Sequence, residues 1–180
     1  EINNIKLYSG FLVLGLVLIV YVYGLINGNN IKHVSYDIVL NEKEDISDLN
    51  IIMISDLHIG SVNSEKRLKN IVSEINSKNA DLVLFVGDIF DNDYYAIRDV
   101  DGVVNLLSDI KSTYGVYASL GNHDAGSTFD KMMDILEKSN IRVLMDASVV
   151  IDNRVVVLGR LDKTPIGGYG EGIIRGNFDD

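Results

Sequence analysis

Apolar residues fill the first part of the chain almost without interruption, and no charged residue lies between Leu7 and Ile31. About 20 apolar residues span the core of a bilayer as a helix, whereas a helix of a soluble core seldom stays apolar on every face. The apolar part of a signal peptide is shorter, ~7–15 residues, and precedes a small-residue cleavage site, which does not follow here. The pattern predicts a transmembrane helix over about residues 7–27, within a membrane segment of residues 1–31.

The flanks of this apolar run fit a membrane interface but do not orient the helix. Tyrosines, which favour membrane interfaces, lie towards both ends: Tyr8, Tyr21 and Tyr23. Only Lys6 precedes the run, and Lys32 and Lys43 follow it. The positive-inside rule compares the lysines and arginines on the two sides, and here it favours neither orientation.

Beyond a short polar linker, the pattern becomes that of a globular domain, which we place at residues 32–180. Residues 34–40, VSYDIVL, alternate apolar and polar side chains, and this alternation predicts a strand. Three continuous apolar runs predict strands buried on both faces: residues 50–55, 81–87 and 115–121. Each is followed by apolar residues at the i, i+3, i+4, i+7 spacing of a helix: Leu68 to Ile75, Val103 to Ile110, and Phe129 to Leu136.

Three short apolar segments close the pattern, at residues 141–145, 148–151 and 154–159. Asp152 and Asn153 separate the last two and predict a hairpin turn. Strands that alternate with helices form βαβ units around a largely parallel sheet. The sequence therefore predicts an α/β domain, and the final hairpin suggests that its sheet is mixed.

Charge and cysteine content exclude several kinds of function. The net charge is −10, from 26 acidic and 16 basic residues, whereas binding to a nucleic-acid backbone requires a basic face. We therefore expect no nucleic-acid partner. Cysteine is absent, which excludes disulfides, thiol nucleophiles and thiolate zinc sites.

Polar clusters follow the three predicted buried strands. The clusters are Asp56 and His58 in ISDLHIG, Asp88 and Asp91 in VGDIFD, and Asn122, His123 and Asp124 in LGNHD. The carboxyl ends of neighbouring parallel strands line the crevice where open α/β sheets bind ligands. We therefore expect the three clusters to converge at one edge of the sheet.

Converging carboxylates repel one another, and one of them would have to keep its proton. Divalent cations remove this cost, and oxygen together with imidazole ligands suits Zn, Mn or Fe. Asp56 and His58 could reach one ion only if the strand breaks at Leu57. Asp88 lies between the outer clusters and is the natural bridging ligand, while Asn122 offers a neutral oxygen to a second ion.

Each of these residues also has a purely structural interpretation. Asp56 alone is most often a cap or turn residue, and His58 alone a surface or core imidazole. Asp88, Asp91 and Asn122 would each serve as ordinary turn residues. Three strands of one sheet that all end in metal-type ligands are improbable by chance, so the joint pattern favours a metal centre.

The blocks DLH, GDIFD and GNHD resemble the first three signature blocks of the calcineurin-like metallophosphoesterase family, over roughly residues 50–160. The preceding apolar helix resembles a bacterial, membrane-associated branch, in which GRLD, residues 159–162, would be a strand end. The resemblance implies a four-layer α/β/β/α sandwich with two mixed sheets, preceded by one transmembrane helix. It also slightly favours an extracytoplasmic catalytic domain on the cell membrane.

The resemblance also implies roles for single residues. Asp56 and His58 would hold the first of two divalent metal ions, Asp88 would bridge the two ions, and Asn122 would hold the second. The ions would activate a hydroxide that hydrolyses a phosphate monoester or diester, and the resemblance admits a lipid-linked or nucleotide-linked substrate.

Two further roles follow from the same resemblance. His123 would face the substrate as a general acid, and Asp124 would orient its imidazole. GNHD then contains a ligand, an acid and an orienting carboxylate in succession.

One departure from the family pattern concerns histidine, because the chain has only His33, His58 and His123. The family completes its metal shells with an isolated downstream histidine and a G-H-x-H block. We expect the C-terminal part of the domain to be missing from these 180 residues. The alternative is a catalytically inactive, membrane-tethered binding or scaffold relative of the same fold.

Overall fold

The computed structural model describes residues 2–28, 31–39, 48–60 and 64–169. The chain divides into two compact units, Glu1–Leu40 and Asn41–Asp180. The boundary that the sequence predicts, between residues 31 and 32, stays a prediction.

The first unit contains the helix α1, Ile2–Gly28. By length and composition, its residues Asn4–Gly28 could cross a membrane, and none of them is buried. The prediction of a long apolar helix over residues 7–27 is confirmed, and α1 begins several residues earlier.

The strand predicted at residues 34–40 is wrong over residues 34–39, which have no regular secondary structure. Leu40 lies outside the described residues. Val34, Tyr36 and Ile38 are 71%, 81% and 79% exposed. Alternation makes a strand only where a second strand supplies hydrogen bonds, and no strand in the described part of the chain pairs with this segment.

The second unit is built on a four-stranded parallel sheet whose strands follow one another in chain order. The strands are β1 (Ile51–Ile54), β2 (Leu82–Val86), β3 (Val116–Ser119) and β4 (Ile141–Val143). The helices are α2 (Ser64–Ser77), α3 (Val100–Ser108) and α4 (Phe129–Lys138), with a 3₁₀ turn at Tyr94–Ala96. The three predicted strand–helix repeats are confirmed.

The core lies between this sheet and its helices. The register aligns Ile54, Phe85, Ala118 and Val143 across the four strands, and all four side chains belong to or pack against the core. The helices contribute their apolar stripes: Leu68, Val72, Ile75, Val103, Leu107, Met132, Ile135 and Leu136. Burying each large apolar side chain stabilises the fold by about 1.5–3 kcal/mol. This packing holds the carboxyl ends of β1, β2 and β3 side by side.

The predicted hairpin is also present, with strands β5 (Ala147–Ile151) and β6 (Val155–Gly159) paired antiparallel. Its turn residues Asp152 and Asn153 have φ of +49° and +53°, a region that Asp and Asn tolerate better than most residues. In the described residues the hairpin forms a sheet of its own. The α/β class with both strand directions is confirmed.

Candidate metal centre

The first two polar clusters are brought together by backbone pairing that continues past the ends of β1 and β2. The Asp56 N–H donates to the Gly87 carbonyl at 3.2 Å, and the His58 N–H donates to the Asp88 carbonyl at 3.1 Å. These bonds carry the parallel register of the strands into the loops. Asp56 and His58 therefore lie beside Asp88.

The backbone at these positions is unusual, because Asp56, His58 and Asp88 have φ of +56°, +47° and +51°. Left-handed conformations at non-glycine residues cost of order 1–3 kcal/mol and cluster at functional sites. The two turns on either side of Leu57 leave that residue buried, while Asp56 is exposed and His58 half-buried. The break in the strand that the metal hypothesis requires is present.

The third cluster approaches the second through a glycine. A Cβ on Gly121 would lie 2.2 Å from Asp88 Oδ1 and 2.5 Å from the Asp88 nitrogen, so only glycine fits. The His123 N–H donates to Asp88 Oδ1 at 3.0 Å. The Asp88 carboxylate is thus held by the backbone of the third cluster.

Two overlapping groups of metal-type ligands result. The ligand atoms of Asp56, His58 and Asp88 lie within 4.8 Å of one another, and so do those of His58, Asp91 and His123. The His58 and His123 rings are 4.9 Å apart between centroids and nearly perpendicular. The donor set of carboxylates and imidazoles fits a divalent transition-metal ion.

A buried, unpartnered atom points to the same conclusion. His123 Nδ1 is buried, and no hydrogen-bond partner for it exists within the described residues. Buried polar atoms without a partner are costly and rare, so this nitrogen suits a proton transfer or a ligand.

Asn122 is placed by its backbone, because its carbonyl accepts a hydrogen bond from the Ile166 N–H at 2.9 Å. It is half-buried and adjoins His123 in the loop after β3. This position is consistent with the predicted ligand role, which stays a proposal.

Asp124 makes contacts other than the predicted one. Its side chain is fully buried, and its two oxygens accept hydrogen bonds from the Phe90 N–H at 2.7 Å and the Gly121 N–H at 2.9 Å. The expected partner was the His123 imidazole. Burial raises the pKa of Asp124 above its usual value, although the two backbone bonds act in the opposite direction. In this geometry the carboxylate joins the second loop to the third.

Asp91 lies close to both imidazoles of the centre. Its Oδ1 is 3.8 Å from His58 Nδ1, and it belongs to the group that contains both imidazoles. The sequence placed Asp91 in the second polar cluster, but it was not predicted as a ligand or a catalytic residue. Its place as the last residue of GDIFD was the available signal.

Comparison with known proteins agrees with this geometry. The model of the calcineurin-like phosphoesterase family matches residues 49–178. A metallophosphoesterase of Campylobacter jejuni is 31% identical over 73% of the chain and 32% of its own length. A Bacillus subtilis metallophosphoesterase is 28% identical over 78% of the chain and 54% of its own length.

A vertebrate relative is described as a membrane protein. The transmembrane protein with metallophosphoesterase domain of Danio rerio is 33% identical over 62% of the chain and 26% of its own length. The chain therefore spans between about a quarter and about half of the length of these three relatives.

Proposed function

Because the chain belongs to the calcineurin-like phosphoesterase family, we propose that it hydrolyses a phosphate monoester or diester with two divalent metal ions. The observation that carries the proposal is the convergence of Asp56, His58 and Asp88 to within 4.8 Å at the ends of two adjacent strands. Such a cluster of anionic and imidazole ligands without a cation would be electrostatically unfavourable.

The residues divide between the two ions as follows. Asp56 and His58 would hold the first ion, Asp88 would be shared by the two ions, and Asn122 would offer its amide oxygen to the second. The mixture of oxygen and nitrogen ligands suits Mn, Fe or Zn. Bound ions of this kind supply an activated water nucleophile and stabilise negative charge on the phosphate.

His123 acts as the general acid in this proposal. Its imidazole lies next to that of His58, and its protonated form donates to the leaving alkoxide. Asp91 positions the imidazole pair, since its carboxylate belongs to the same compact group. Asp124 acts through the backbone, because its bonds to Phe90 and Gly121 fix the loop that carries His123.

The helix α1 anchors the domain to a membrane in this proposal. Its length and composition support the anchor, and the Danio rerio relative is described as a transmembrane protein. An anchor keeps the active site near the lipid surface, so the substrate class that suits it best is a lipid-linked or nucleotide-linked phosphate ester of the cell envelope. The catalytic domain then lies on the extracytoplasmic side.

The test uses the full-length protein with bis-p-nitrophenyl phosphate and p-nitrophenyl phosphate, each with Mn²⁺ and with a chelator. We expect Mn²⁺-dependent hydrolysis, and the ratio of the two rates assigns the protein to diesters or monoesters. Bound Mn²⁺ is measured on the same samples. Absence of hydrolysis above the chelated control, with metal demonstrably bound, would contradict the enzyme and favour a membrane-tethered binding protein of the same fold.

A further inference from the structure

A segment that follows the hairpin lies directly against the loop after β3. We call residues 162–169 the strap. The Ile166 N–H donates to the Asn122 carbonyl at 2.9 Å, and the Gly126 N–H donates to the Gly168 carbonyl at 2.6 Å. Two backbone bonds in opposite directions thus join the strap to the loop that carries Asn122 and His123.

The contact between the strap and the loop after β3 leaves no room for side chains at its glycines. Gly126 and Gly167 have φ of +94° and +77°, values that glycine adopts most readily. A Cβ on Gly126 would lie 3.2 Å from the Ile166 carbonyl oxygen, and one on Gly167 would lie 3.0 Å from the Gly126 Cα. The strap and the loop after β3 therefore approach each other as closely as their main-chain atoms allow.

Tyr169 joins the two ends of the strap and connects the strap to α4. Its hydroxyl accepts a hydrogen bond from the Asp162 N–H at 2.9 Å, so the last residue of the strap is joined to the first. Its ring packs edge-on against Phe129, with centroids 5.6 Å apart. Phe129 is the buried first residue of α4, which connects the strap to the core.

The two halves of the candidate centre are supported differently. Asp56 and His58 are held by the loop after β2 through their own N–H groups. Asn122 receives its bond from the strap. A change in the strap therefore acts on Asn122 and leaves the backbone support of Asp56 and His58 intact.

We propose that the strap is a positioning element for Asn122 and that Tyr169 is its key residue. This inference rests on the proposed function, in which Asn122 holds the second ion. Partners that orient a metal ligand typically contribute 10–100-fold to metal affinity. Loss of the Tyr169 contacts should weaken the second ion selectively.

The experiment titrates the full-length, metal-free protein with Mn²⁺ by calorimetry and follows the spectrum of coupled Mn²⁺ pairs by electron paramagnetic resonance. Tyr169→Ala removes both the ring and the hydroxyl, whereas Tyr169→Phe keeps the ring. We expect Tyr169→Ala to weaken the second Mn²⁺ by about 10-fold or more, with Tyr169→Phe intermediate and the first Mn²⁺ unchanged. Gly167→Ala perturbs the strap independently and should weaken the same ion.

The matched control is Tyr114→Phe, which also removes a hydroxyl with a hydrogen-bond partner but at the hairpin turn. The Tyr114 hydroxyl contacts Asp152 and Arg154, so this variant should leave both Mn²⁺ affinities unchanged. Equal weakening of both ions in the Tyr169 variants, or no change in either, would overturn the role of the strap. A parent protein that binds fewer than two Mn²⁺ would instead refute the dimetal function.

Discussion

The loops after β1 and β2 differ from the loop after β3 in what fixes them. The first two continue the pairing of their strands, so Asp56 and His58 are placed by backbone bonds to the very next strand. The third loop is held by the strap and by bonds of its own residues to the second loop, from Asp124 to Phe90 and from His123 to Asp88. Continued strand pairing places one half of this centre, and contacts outside the strand pairing place the other half.

Asp88 joins the two halves, and its substitution should therefore have the largest effect. Asp88→Asn keeps the size and tolerates the positive φ, but it removes the charge shared by both proposed ions. We expect a loss of activity greater than the ~100-fold that a partner of a ligand contributes, together with lower Mn²⁺ content. Asp101→Asn, at an exposed position of α3, serves as the control. A rate equal to that of the parent would reject the bridging role.

His123 tests whether the third loop carries chemistry as well as a ligand. His123→Ala should slow an alkyl phosphoester by about 10²–10⁴-fold, because an alkoxide leaving group needs a proton. A nitrophenyl ester should lose much less, with metal content unchanged. His33→Ala is the matched control in the first unit of the chain. Equal losses on both substrates at full metal occupancy would refute the acid role.

Substitution of His58 should give a different result from that of His123, because His58 lies in the half of the centre that strand pairing places. His58→Ala should lower metal occupancy and slow both esters together, since it removes a ligand and not an acid. Metal analysis beside the two rates separates this outcome from that of His123. Full occupancy in the His58 variant would remove His58 from the proposed ligands.

Substitution of Asp91 should have a smaller effect, which arises only from the positioning of the two imidazoles. Asp91→Asn keeps the shape of the side chain but removes the negative charge beside the two imidazoles. We expect a 10–100-fold lower kcat, the range for residues that orient ligands. A kcat equal to that of the parent would remove Asp91 from the positioning role.

Asp124 should affect stability more than chemistry. Asp124→Asn leaves one acceptor and places an amide N–H₂ against a backbone donor, either that of Phe90 or that of Gly121. A buried group without its partner costs about 1–3 kcal/mol. The measurement is the free energy of unfolding from denaturant titration. A loss well below 1 kcal/mol would show that the two backbone bonds are dispensable.

The same contrast explains which parts of the fold and of the candidate centre could be predicted from the sequence. The three strands, their helices and the convergence of their polar ends follow from periodicity and from the geometry of parallel sheets, and the structure agrees. The predicted burial of β1 on both faces is wrong, because Ile51 and Met53 are exposed. The prediction of a strand at residues 34–40 was wrong over the described residues 34–39, because the alternation of apolar and polar residues does not specify a partner strand. The contact of Asp124 with Phe90 and that of Tyr169 with Phe129 join residues far apart in the chain, and no local pattern encodes them. Asp91 was overlooked because a carboxylate after a strand also suits an ordinary turn.

The positive φ angles at Asp56, His58 and Asp88 have a consequence for how mutants of this centre are compared. An alanine there must adopt a backbone that costs roughly 1–2 kcal/mol for an ordinary L-residue, so an alanine scan measures backbone strain and ligand loss together. Asparagine tolerates the same backbone and separates the two contributions. The conformation of the main chain thus restricts the acceptable amino acids at these three positions before any metal or substrate does.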